Sequence, residues 1–359
     1  MDFETKIDLI ERNAVEIITD SELRSLVETN AKPRSYWGFE SSGFMHIGLG
    51  LVCGSKIKDM VAAGFHFIIF LADWHSWINN KLGGKMENIR LCGEYFKECF
   101  TALGIESMEY LWAADLAQDI SYWEKIVRIA KSASVQRIWR ALPIMGREMD
   151  LSDVETAWLL YPSMQAADIF QMNLDVACAG IDQRKAHMLA RDIAEKRHWR
   201  KPICIHTPLL MGLQGPSKSD KKLDEDSTLN LQITSKMAKS KPKTCIFVHD
   251  SPQDIKAKLK DAYCPAKQVT DNPVLEEAKY AIFPNTTEMT ITRPAKYGGN
   301  VCFSNHAELE KEYRQGRIHP LDLKNAVADA LIRILEPVRN HFKKHPERLE
   351  RMRRIQITR

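Results

Sequence analysis

Short apolar runs alternate with longer amphipathic stretches along most of the chain. The apolar runs predict strands, and stretches with apolar residues three or four apart predict helices. The predicted strands are Phe67–Leu71, Met108–Leu111, Asp175–Ala179 and Pro202–His206, and the predicted helices are Met86–Leu103, Tyr122–Leu142, Pro162–Met172 and Gln183–Arg197. This alternation implies right-handed βαβ units, and hence an α/β fold with a Rossmann-like parallel sheet. Ligands bind such sheets beyond the carboxyl ends of the strands.

Both ends of the chain are predicted to be mainly helical. The first thirty residues fit two amphipathic helices with one shared apolar face, formed by Ile7, Ile10, Ala14, Val15 and Ile18. After Asp250, Ser251 fits a helix N-cap and Pro252 the first helical position. A long amphipathic helix is predicted at Leu321–His341. We therefore predict a Rossmann-like domain at residues 1–249 and a mostly helical domain at 250–359.

A strand, a tight turn and a helix are predicted around His46. The apolar run Tyr36–Phe39 ends before Ser41-Ser42-Gly43, and amphipathic spacing resumes soon after Gly48. A helix N-terminus presents unpaired N–H groups and partial positive charge, which suit a phosphate. His46 can add a side-chain donor, and Gly48 allows a ligand to approach the backbone. Taken alone, His46 is more readily explained as a solvated cap residue.

The first predicted domain contains a long polar stretch near its end. Residues 215–243 are rich in Ser, Lys, Asp and Thr and have little apolar periodicity, which predicts a long loop. Long loops are usually functional or disordered, and a Ser/Lys-rich surface linker is the simpler alternative. The stretch contains Lys236-Met237-Ala238-Lys239-Ser240, which places two cations close together.

His46-Ile47-Gly48 and Lys236–Ser240 together resemble the HIGH and KMSKS signatures of class I aminoacyl-tRNA synthetases. The wider sequence, from Ile7 to Arg339, resembles the tyrosyl-tRNA synthetases of the archaeal and eukaryotic type. The segments that carry this resemblance are Tyr36–Glu40, Leu71–His75, Tyr161–Asp168, Gly180–Lys185, Arg293–Gly299 and His319–Asn325. The resemblance implies an enzyme that activates tyrosine with ATP and transfers it to tRNA(Tyr), as a homodimer.

The resemblance also implies roles for particular residues. Tyr36 and Asp168 are expected to bind the tyrosine hydroxyl. The other expected tyrosine contacts are Gly38, Glu40, His75, Tyr161, Gln165 and Gln183. The spacing of Tyr161, Gln165 and Asp168 places these three on one helical face.

Tyrosine activation needs no protein nucleophile, because the substrate carboxylate attacks the ATP α-phosphate. The protein must instead position two anions and stabilise the departing pyrophosphate. His46 and Gly48, with Lys236 and Lys239 on a mobile loop, are the expected catalytic and ATP-binding residues, and Leu49 lies beside them. Mg²⁺ is expected to arrive on the phosphates, without a metal site in the protein. Leu49 in the fourth HIGH position and Ala238 in place of a Ser are departures from the family pattern.

For tRNA, the resemblance implies that Tyr297, His319 and Asp322 read the first anticodon base. Aromatic stacking and a carboxylate acceptor suit an unstacked guanine. Arg140, Arg184 and Lys185 fall where the family contacts the acceptor stem. Without the resemblance, Tyr297 is a hairpin residue and Asp322 a favourable charge at a helix start.

Composition adds few restrictions. The net charge of +4 neither requires nor excludes a nucleic-acid partner, and the basic tail after His341 fits a solvated helix at least as well as an RNA contact. The eight cysteines are scattered without metal-ligand spacing, which is typical of the reducing cytosol. We see neither a signal peptide nor an apolar run of membrane-spanning length. The expected location is therefore cytoplasmic.

Two alternatives stay open at this point. A tryptophanyl-tRNA synthetase shares the architecture, although the Tyr36/Asp168 pair favours a phenol over an indole. A synthetase-derived RNA-binding protein that no longer activates an amino acid is compatible with Leu49 and Ala238.

Overall fold

The computed structural model describes residues 1–106, 108–147, 152–217 and 223–355. A six-stranded sheet forms its centre, with the strand order β1-β6-β5-β2-β3-β4. The strands are β1 Glu16–Ile18, β2 Arg34–Phe39, β3 His66–Leu71, β4 Glu109–Trp112, β5 Val176–Gly180 and β6 Ile203–Thr207. β2 to β6 run parallel, and β1 pairs antiparallel with β6 at one edge. The predicted α/β class is confirmed.

Helices surround this sheet and form most of the chain after Asp250. The helices are α1 Phe3–Glu11, α2 Asp20–Thr29, α3 Gly54–Ala62, α4 Asp73–Ile78, α5 Met86–Ala102, α6 Ala113–Ala117, α7 Ile120–Ala130, α8 Val135–Trp139, α9 Tyr161–Gln171, α10 Arg184–Arg197, α11 Ser227–Ser235, α12 Pro252–Lys260, α13 Pro273–Glu277, α14 His306–Arg314, α15 Pro320–Ile334, α16 Glu336–Lys344 and α17 Glu347–Arg353. A two-stranded antiparallel hairpin, β7 Met289–Ile291 and β8 Val301–Phe303, interrupts the last group. It confirms the hairpin predicted around Tyr297.

Both faces of the sheet are buried, because successive strand residues point to opposite sides. Trp37, Ile69 and Cys178 belong to one hydrophobic cluster, whereas Tyr36 and Ile68 belong to the other. The first cluster continues without a break into the helices after Asp250. The division of the chain into two domains near Asp250 therefore stays a prediction.

The prediction of two N-terminal helices missed the strand that lies between them. Glu16–Ile18 form β1, whose register places Ile17 opposite Ile205 in β6. Val15, predicted on the apolar face, is 50% exposed. A strand as short as β1, with three residues, is too short to show an alternating pattern. Its hydrogen-bond partners come from the edge of β6.

Two predicted long helices are divided in the structure. Tyr122–Leu142 is divided into α7, α8 and a 3₁₀ turn, because Ser134 accepts a hydrogen bond from Arg137 N at 3.1 Å and starts a new helix. Leu321–His341 is divided into α15 and α16 at Leu335, just before Pro337. Proline lacks the N–H that a continuous helix requires.

The polar stretch at 215–243 is not entirely a loop. It contains α11, which Asp226 caps by accepting hydrogen bonds from Thr228 N and Leu229 N. Part of the predicted loop, residues 218–222, lies outside the described residues.

The basic tail packs against α5. Arg348 forms ion pairs with Glu94 and Glu98, and Phe342 stacks on Tyr95 with 5.5 Å between ring centroids. The last residue of the predicted tail, Arg359, lies outside the described residues. No helix in the described part of the chain is both long and apolar enough to cross a membrane.

Candidate active site

A cavity of about 820 Å³ opens at the carboxyl ends of β2, β3, β5 and β6. Every residue that the sequence predicted to bind tyrosine or ATP lines this one cavity. These residues are Tyr36, Gly38, Glu40, His46, Gly48, Leu49, His75, Tyr161, Gln165, Asp168, Gln183, Lys236 and Lys239. The parallel sheet explains the convergence, because the carboxyl ends of its strands meet at one edge.

The predicted strand–turn–helix around His46 is confirmed. The chain leaves β2 at Phe39, and His46 pairs with Phe247 in an isolated antiparallel bridge. A π-helical turn then begins at Gly48 and leads into α3. A Cβ atom at Gly48 would lie 2.9 Å from the His46 ring, so any side chain there would force the ring to move. Glycine therefore allows the imidazole to lie against the first helical turn.

His46 is neutral in this environment. Burial, together with the nearby charges of Lys239 and Lys236, lowers the pKa of His46 to about 3. Its Nδ1 atom has no hydrogen-bond partner among the described residues. A neutral imidazole keeps one N–H donor, which can meet a phosphate oxygen without adding a third buried charge.

Asp168 lies at the apolar end of the cavity and is held from two sides. Tyr122 Oη donates to Asp168 Oδ1 at 2.7 Å, and His75 Nε2 lies 3.1 Å from Asp168 Oδ2. Burial lowers the pKa of His75, but Asp168, with help from Glu40, outweighs burial and raises it overall. The carboxylate is only 1% exposed, and these partners stabilise its charge.

Tyr36 lies near the same carboxylate. It is 2% exposed, and its ring meets Phe70 edge-on with 6.3 Å between centroids. Burial raises the pKa of Tyr36 well above its ordinary value, and the negative charge of Asp168 raises it further. Tyr36 therefore keeps its proton and offers a hydroxyl group beside Asp168.

A second polar group surrounds Glu40. Its Oε1 accepts hydrogen bonds from Tyr161 Oη and from Asn79 Nδ2, both at 2.8 Å. On the neighbouring face of α9, Gln165 Nε2 donates to Gln183 Oε1 at 3.3 Å, and Gln165 Oε1 has no partner among the described residues. The cavity therefore contains a carboxylate and a free amide oxygen, which suit an ammonium group.

The two lysines of the polar stretch enter the cavity from the opposite side. Lys236 Nζ lies 2.7 Å from Asp182 Oδ2, and Lys239 Nζ donates to Ser42 Oγ at 2.9 Å. Burial lowers the pKa of Lys239 to about 8. Among the described residues, no group of three or more His, Cys, Asp or Glu could hold a metal ion.

The segment that carries these lysines pairs with residues 210–212. Met237 N donates to Leu210 O at 2.7 Å, and Gly212 N donates to Ser235 O at 2.9 Å. Met211 N in turn donates to Glu276 Oε2 at 3.0 Å. These backbone contacts fix the direction from which Lys236 and Lys239 approach the cavity.

The residues predicted to read the anticodon lie together, outside the cavity lining. Tyr297 is 62% exposed in the turn between β7 and β8, and His319 caps α15 by accepting from Leu321 N at 3.2 Å. Asp322 lies in the first turn of α15. Arg293 joins the two elements by donating to Gly299 O at 2.8 Å and to Arg317 O at 2.6 Å.

The residues predicted to contact the acceptor stem differ in their surroundings. Arg140 is exposed at the end of α8. Arg184 pairs with Glu16 at 2.9 Å, and Lys185 pairs with Asp224 at 2.9 Å. Two of the three cations therefore already have carboxylate partners.

Sequence reasoning missed several residues of the site. Tyr122, Asn79 and Ser42 contact Asp168, Glu40 and Lys239 respectively. Ser42 belongs to the predicted turn Ser41-Ser42-Gly43, so its position alone could have suggested a place in the site. Tyr122 and Asn79 carry no comparable signal, because each contact joins separate elements.

Comparison with known proteins defines the class. The family described as tRNA synthetases class I (W and Y) matches residues 28–233 and 227–336. The chain belongs to this family, and it is therefore an aminoacyl-tRNA synthetase.

The similar relatives identify one branch. The chain is 47% identical to the tyrosine–tRNA ligase of Aeropyrum pernix, over 94% of this chain and 93% of that protein. It is 45% identical to the tyrosine–tRNA ligase of Thermococcus kodakarensis, over 100% of both. A crystal structure of the Pyrococcus horikoshii tyrosyl-tRNA synthetase, complexed with L-tyrosine, superimposes with a TM-score of 0.91 at 42% identity. The superposition covers 99% of this chain and 100% of that one.

Proposed function

We propose that this enzyme activates L-tyrosine with ATP and transfers the tyrosyl group to tRNA(Tyr). One observation carries the proposal: Asp168, with Tyr122 and His75 against its two carboxylate oxygens, lines the same cavity as His46, Lys236 and Lys239. A phenol acceptor and a phosphate-binding group in one cavity suit an amino acid and a nucleotide that must react. The similar tyrosine–tRNA ligases support the choice of tyrosine over tryptophan.

Tyrosine recognition rests on hydrogen bonds at both ends of the amino acid. In our proposal the substrate phenol lies between Asp168 and Tyr36, and its ammonium group lies near Gln165 and Gln183. Gly38 and Tyr161 line the space between these ends. Phenylalanine would leave the buried polar groups of Asp168 and Tyr36 without a partner, which disfavours its binding.

Activation then follows from positioning and charge. The tyrosine carboxylate attacks the α-phosphate, and pyrophosphate leaves toward the cations. His46 donates to a phosphate oxygen, the backbone at Gly48 allows close approach, and Lys236 and Lys239 offset the developing negative charge. Lys236 must exchange Asp182 for a phosphate, which requires this segment to move. We propose that it is mobile without ATP and ordered with it.

Mg²⁺ fits this arrangement as a companion of ATP. In the cavity, His46 offers a neutral imidazole and Lys236 and Lys239 offer two cations, which suit phosphate oxygens rather than a bare divalent ion. The carboxylate of Asp182 is already paired with Lys236. Mg²⁺ supplies further charge neutralisation when it is bound to the phosphates.

Transfer to tRNA uses surfaces away from the cavity in this proposal. Tyr297 offers an exposed ring, and His319 and Asp322 lie at the adjacent start of α15. Arg140, Arg184 and Lys185 contact the acceptor stem, for which Arg184 and Lys185 must release their carboxylate partners.

A homodimer is supported by one apolar surface. Ile120 and Val127 are 73% and 55% exposed, and their spacing of seven places them on one face of α7. Val135, at the start of α8, is 74% exposed. Exposed apolar clusters of this kind mark protein contacts. In light scattering, Val127→Glu should give a monomer, whereas Leu321→Glu, at an exposed apolar residue elsewhere, should leave the dimer intact.

The central test is pyrophosphate exchange with ATP in the presence of single amino acids. Tyrosine alone should support exchange. Equal exchange with tryptophan would contradict the substrate assignment, and no exchange with any amino acid would favour an RNA-binding protein without activation activity.

A further inference from the structure

A row of four hydrogen-bonded side chains, which we name the histidine chain, joins the protein surface to the cavity. Arg184 Nε lies 2.9 Å from both carboxylate oxygens of Glu16. Glu16 Oε2 lies 2.7 Å from His206 Nδ1, and His206 Nε2 lies 3.0 Å from His187 Nδ1. The proposed reaction uses neither His187 nor His206, so the histidine chain needs a separate explanation.

The two histidines are buried, and one of them reaches the cavity. His187 and His206 are both 0% exposed, and their rings stack with 5.0 Å between centroids. His187 lines the cavity, and its Nε2 atom has no hydrogen-bond partner among the described residues. A buried polar atom without a partner is costly, which indicates that a bound molecule satisfies it.

The direction of the hydrogen bonds can be assigned from Glu16. Its pKa is lowered by hydrogen bonding to His206 and by Arg184, so Glu16 is ionised and only accepts. His206 Nδ1 therefore carries a proton. Arg184 already balances the charge of Glu16, so a second proton on His206 would place an unbalanced charge at a fully buried position. With a single proton on His206, its Nε2 is bare and accepts from His187 Nδ1.

This assignment leaves His187 Nε2 as a bare acceptor. We propose that it accepts a hydrogen bond from an N–H or O–H donor of a bound substrate, and that the Arg184–Glu16 ion pair sets this polarity. The inference rests on the proposed function, because it takes the cavity as the substrate site. The candidate donors are the ammonium group of the amino acid and a hydroxyl of the nucleotide. Gln183, proposed to hold the ammonium group, is the N-cap residue of α10, four positions before His187.

Loss of the ion pair between Arg184 and Glu16 reverses the direction of the hydrogen bonds in the histidine chain. The Glu16 carboxylate then lacks a counter-charge, and His206 gains a second proton on Nε2. His206 Nε2 becomes a donor, so His187 Nδ1 must accept and the remaining proton moves to His187 Nε2. His187 Nε2, at the cavity end of the histidine chain, changes from an acceptor to a donor. Arg184 at the surface is thereby coupled to the substrate site.

Nitrogen NMR of ¹⁵N-histidine-labelled protein tests the polarity directly. The chain has eleven histidines, and the His187→Gln and His206→Gln variants identify the two signals. In the wild type we expect protonated Nδ1 and unprotonated Nε2 in His187. Adding tyrosine or a non-hydrolysable ATP analogue separately should shift the Nε2 signal in one case, which identifies the donor. A protonated Nε2, or no shift with either molecule, would overturn the proposal.

A matched pair of variants tests the role of Arg184. Arg184→Met should protonate both nitrogens of His206 and move the His187 proton to Nε2. Lys185→Met, which removes the adjacent cation paired with Asp224, should leave both histidines as in the wild type. An unchanged His187 signal in Arg184→Met would show that the ion pair does not set the polarity.

Kinetics of His187→Phe provide an independent measurement. The KM of the substrate that shifted Nε2 should rise about tenfold, the size of one hydrogen bond to a charged or polar group, and the other KM should change less than about twofold. Equal increases would indicate a structural role and count against the proposal. If the wild type shows no pyrophosphate exchange, the proposed function fails, whereas the NMR measurement still tests the histidine chain.

Discussion

Tyr122 donates a hydrogen bond to Asp168 across 2.7 Å, and this contact orients the carboxylate before any ligand binds. Both side chains are buried, and His75 approaches the second carboxylate oxygen. Each carboxylate oxygen has two lone pairs, so one acceptor position on each stays available to a substrate hydroxyl. Tyr122 is therefore a positioning residue for the group that we propose reads the phenol.

Tyr122→Phe should weaken the use of tyrosine without loss of the fold. Removing the donor leaves Asp168 less firmly oriented, at a cost of about 1 kcal/mol, or roughly fivefold in kcat/KM for tyrosine. The ratio of kcat/KM for tyrosine over phenylalanine should fall, as measured by pyrophosphate exchange. Tyr313→Phe is the control, because that buried hydroxyl donates to Pro265 O at 2.8 Å outside the cavity lining. An equal loss in both variants would contradict the positioning role.

Asp168→Ala should have a larger effect in the same assay. It removes the acceptor itself, which leaves the Tyr122 hydroxyl unpaired and His75 without the adjacent carboxylate, at a cost of about 1–3 kcal/mol. Tyrosine discrimination should collapse, whereas the KM for ATP should change little. A folded Asp168→Ala protein with unchanged discrimination would show that Asp168 is structural.

Local spacing explains why part of this site was predictable. Tyr161, Gln165 and Asp168 share a helical face, and the structure places all three on the cavity. Tyr122 is separated from Asp168 by 46 positions, and Glu16 from His206 by 190. Contacts across such separations depend on how α7 packs on α9 and how β1 joins β6, which no local pattern encodes.

Lys236→Ala should slow adenylate formation more than it weakens tyrosine binding. The expected loss is about 2 kcal/mol or more, because the lysine acts on charge that develops during the reaction. Lys243→Ala, an exposed lysine near the same segment that does not line the cavity, is the control. Single-turnover measurements separate the two effects, and a full rate in Lys236→Ala would remove this lysine from the reaction.

The sequence predicted the fold correctly where the pattern of apolar residues is long. The prediction failed where that pattern is short. The five parallel strands, β2 to β6, contain apolar runs, so all five were predicted. β1 has only three residues and depends on its partner strand β6. α11 lies within the polar stretch and depends on the Asp226 cap. The breaks at Ser134 and Pro337 had signals, an N-cap residue and a proline, that amphipathic spacing alone does not register.

Activity should decline in alkaline solution through Lys239. Burial lowers the pKa of Lys239 to about 8, so raising the pH above this value removes its positive charge in the free enzyme. Because kcat/KM reports the free enzyme, kcat/KM for ATP should fall about tenfold per pH unit above about 8. Lys239→Arg keeps its charge in this range, so its profile should lack the decline.

The comparison of these two profiles also provides the control. Substrate groups titrate equally in both assays, and any decline common to both belongs to tyrosine or ATP. If the wild type and Lys239→Arg decline together, the charge of Lys239 is not required for ATP use.

Asp322→Ala should impair charging of tRNA and leave tyrosine activation intact. Asp322 lies at the start of α15, outside the cavity lining, beside His319 and close to the turn that carries Tyr297. If its carboxylate accepts hydrogen bonds from a guanine edge, replacing that guanine should harm the wild type and scarcely affect the variant. Aminoacylation of native and anticodon-substituted tRNA by both proteins measures this coupling. If Asp322 reads the guanine, the protein substitution and the tRNA substitution remove the same contact, so their losses in aminoacylation cannot add. Losses that add independently would instead assign Asp322 to favourable electrostatics at the helix N-terminus.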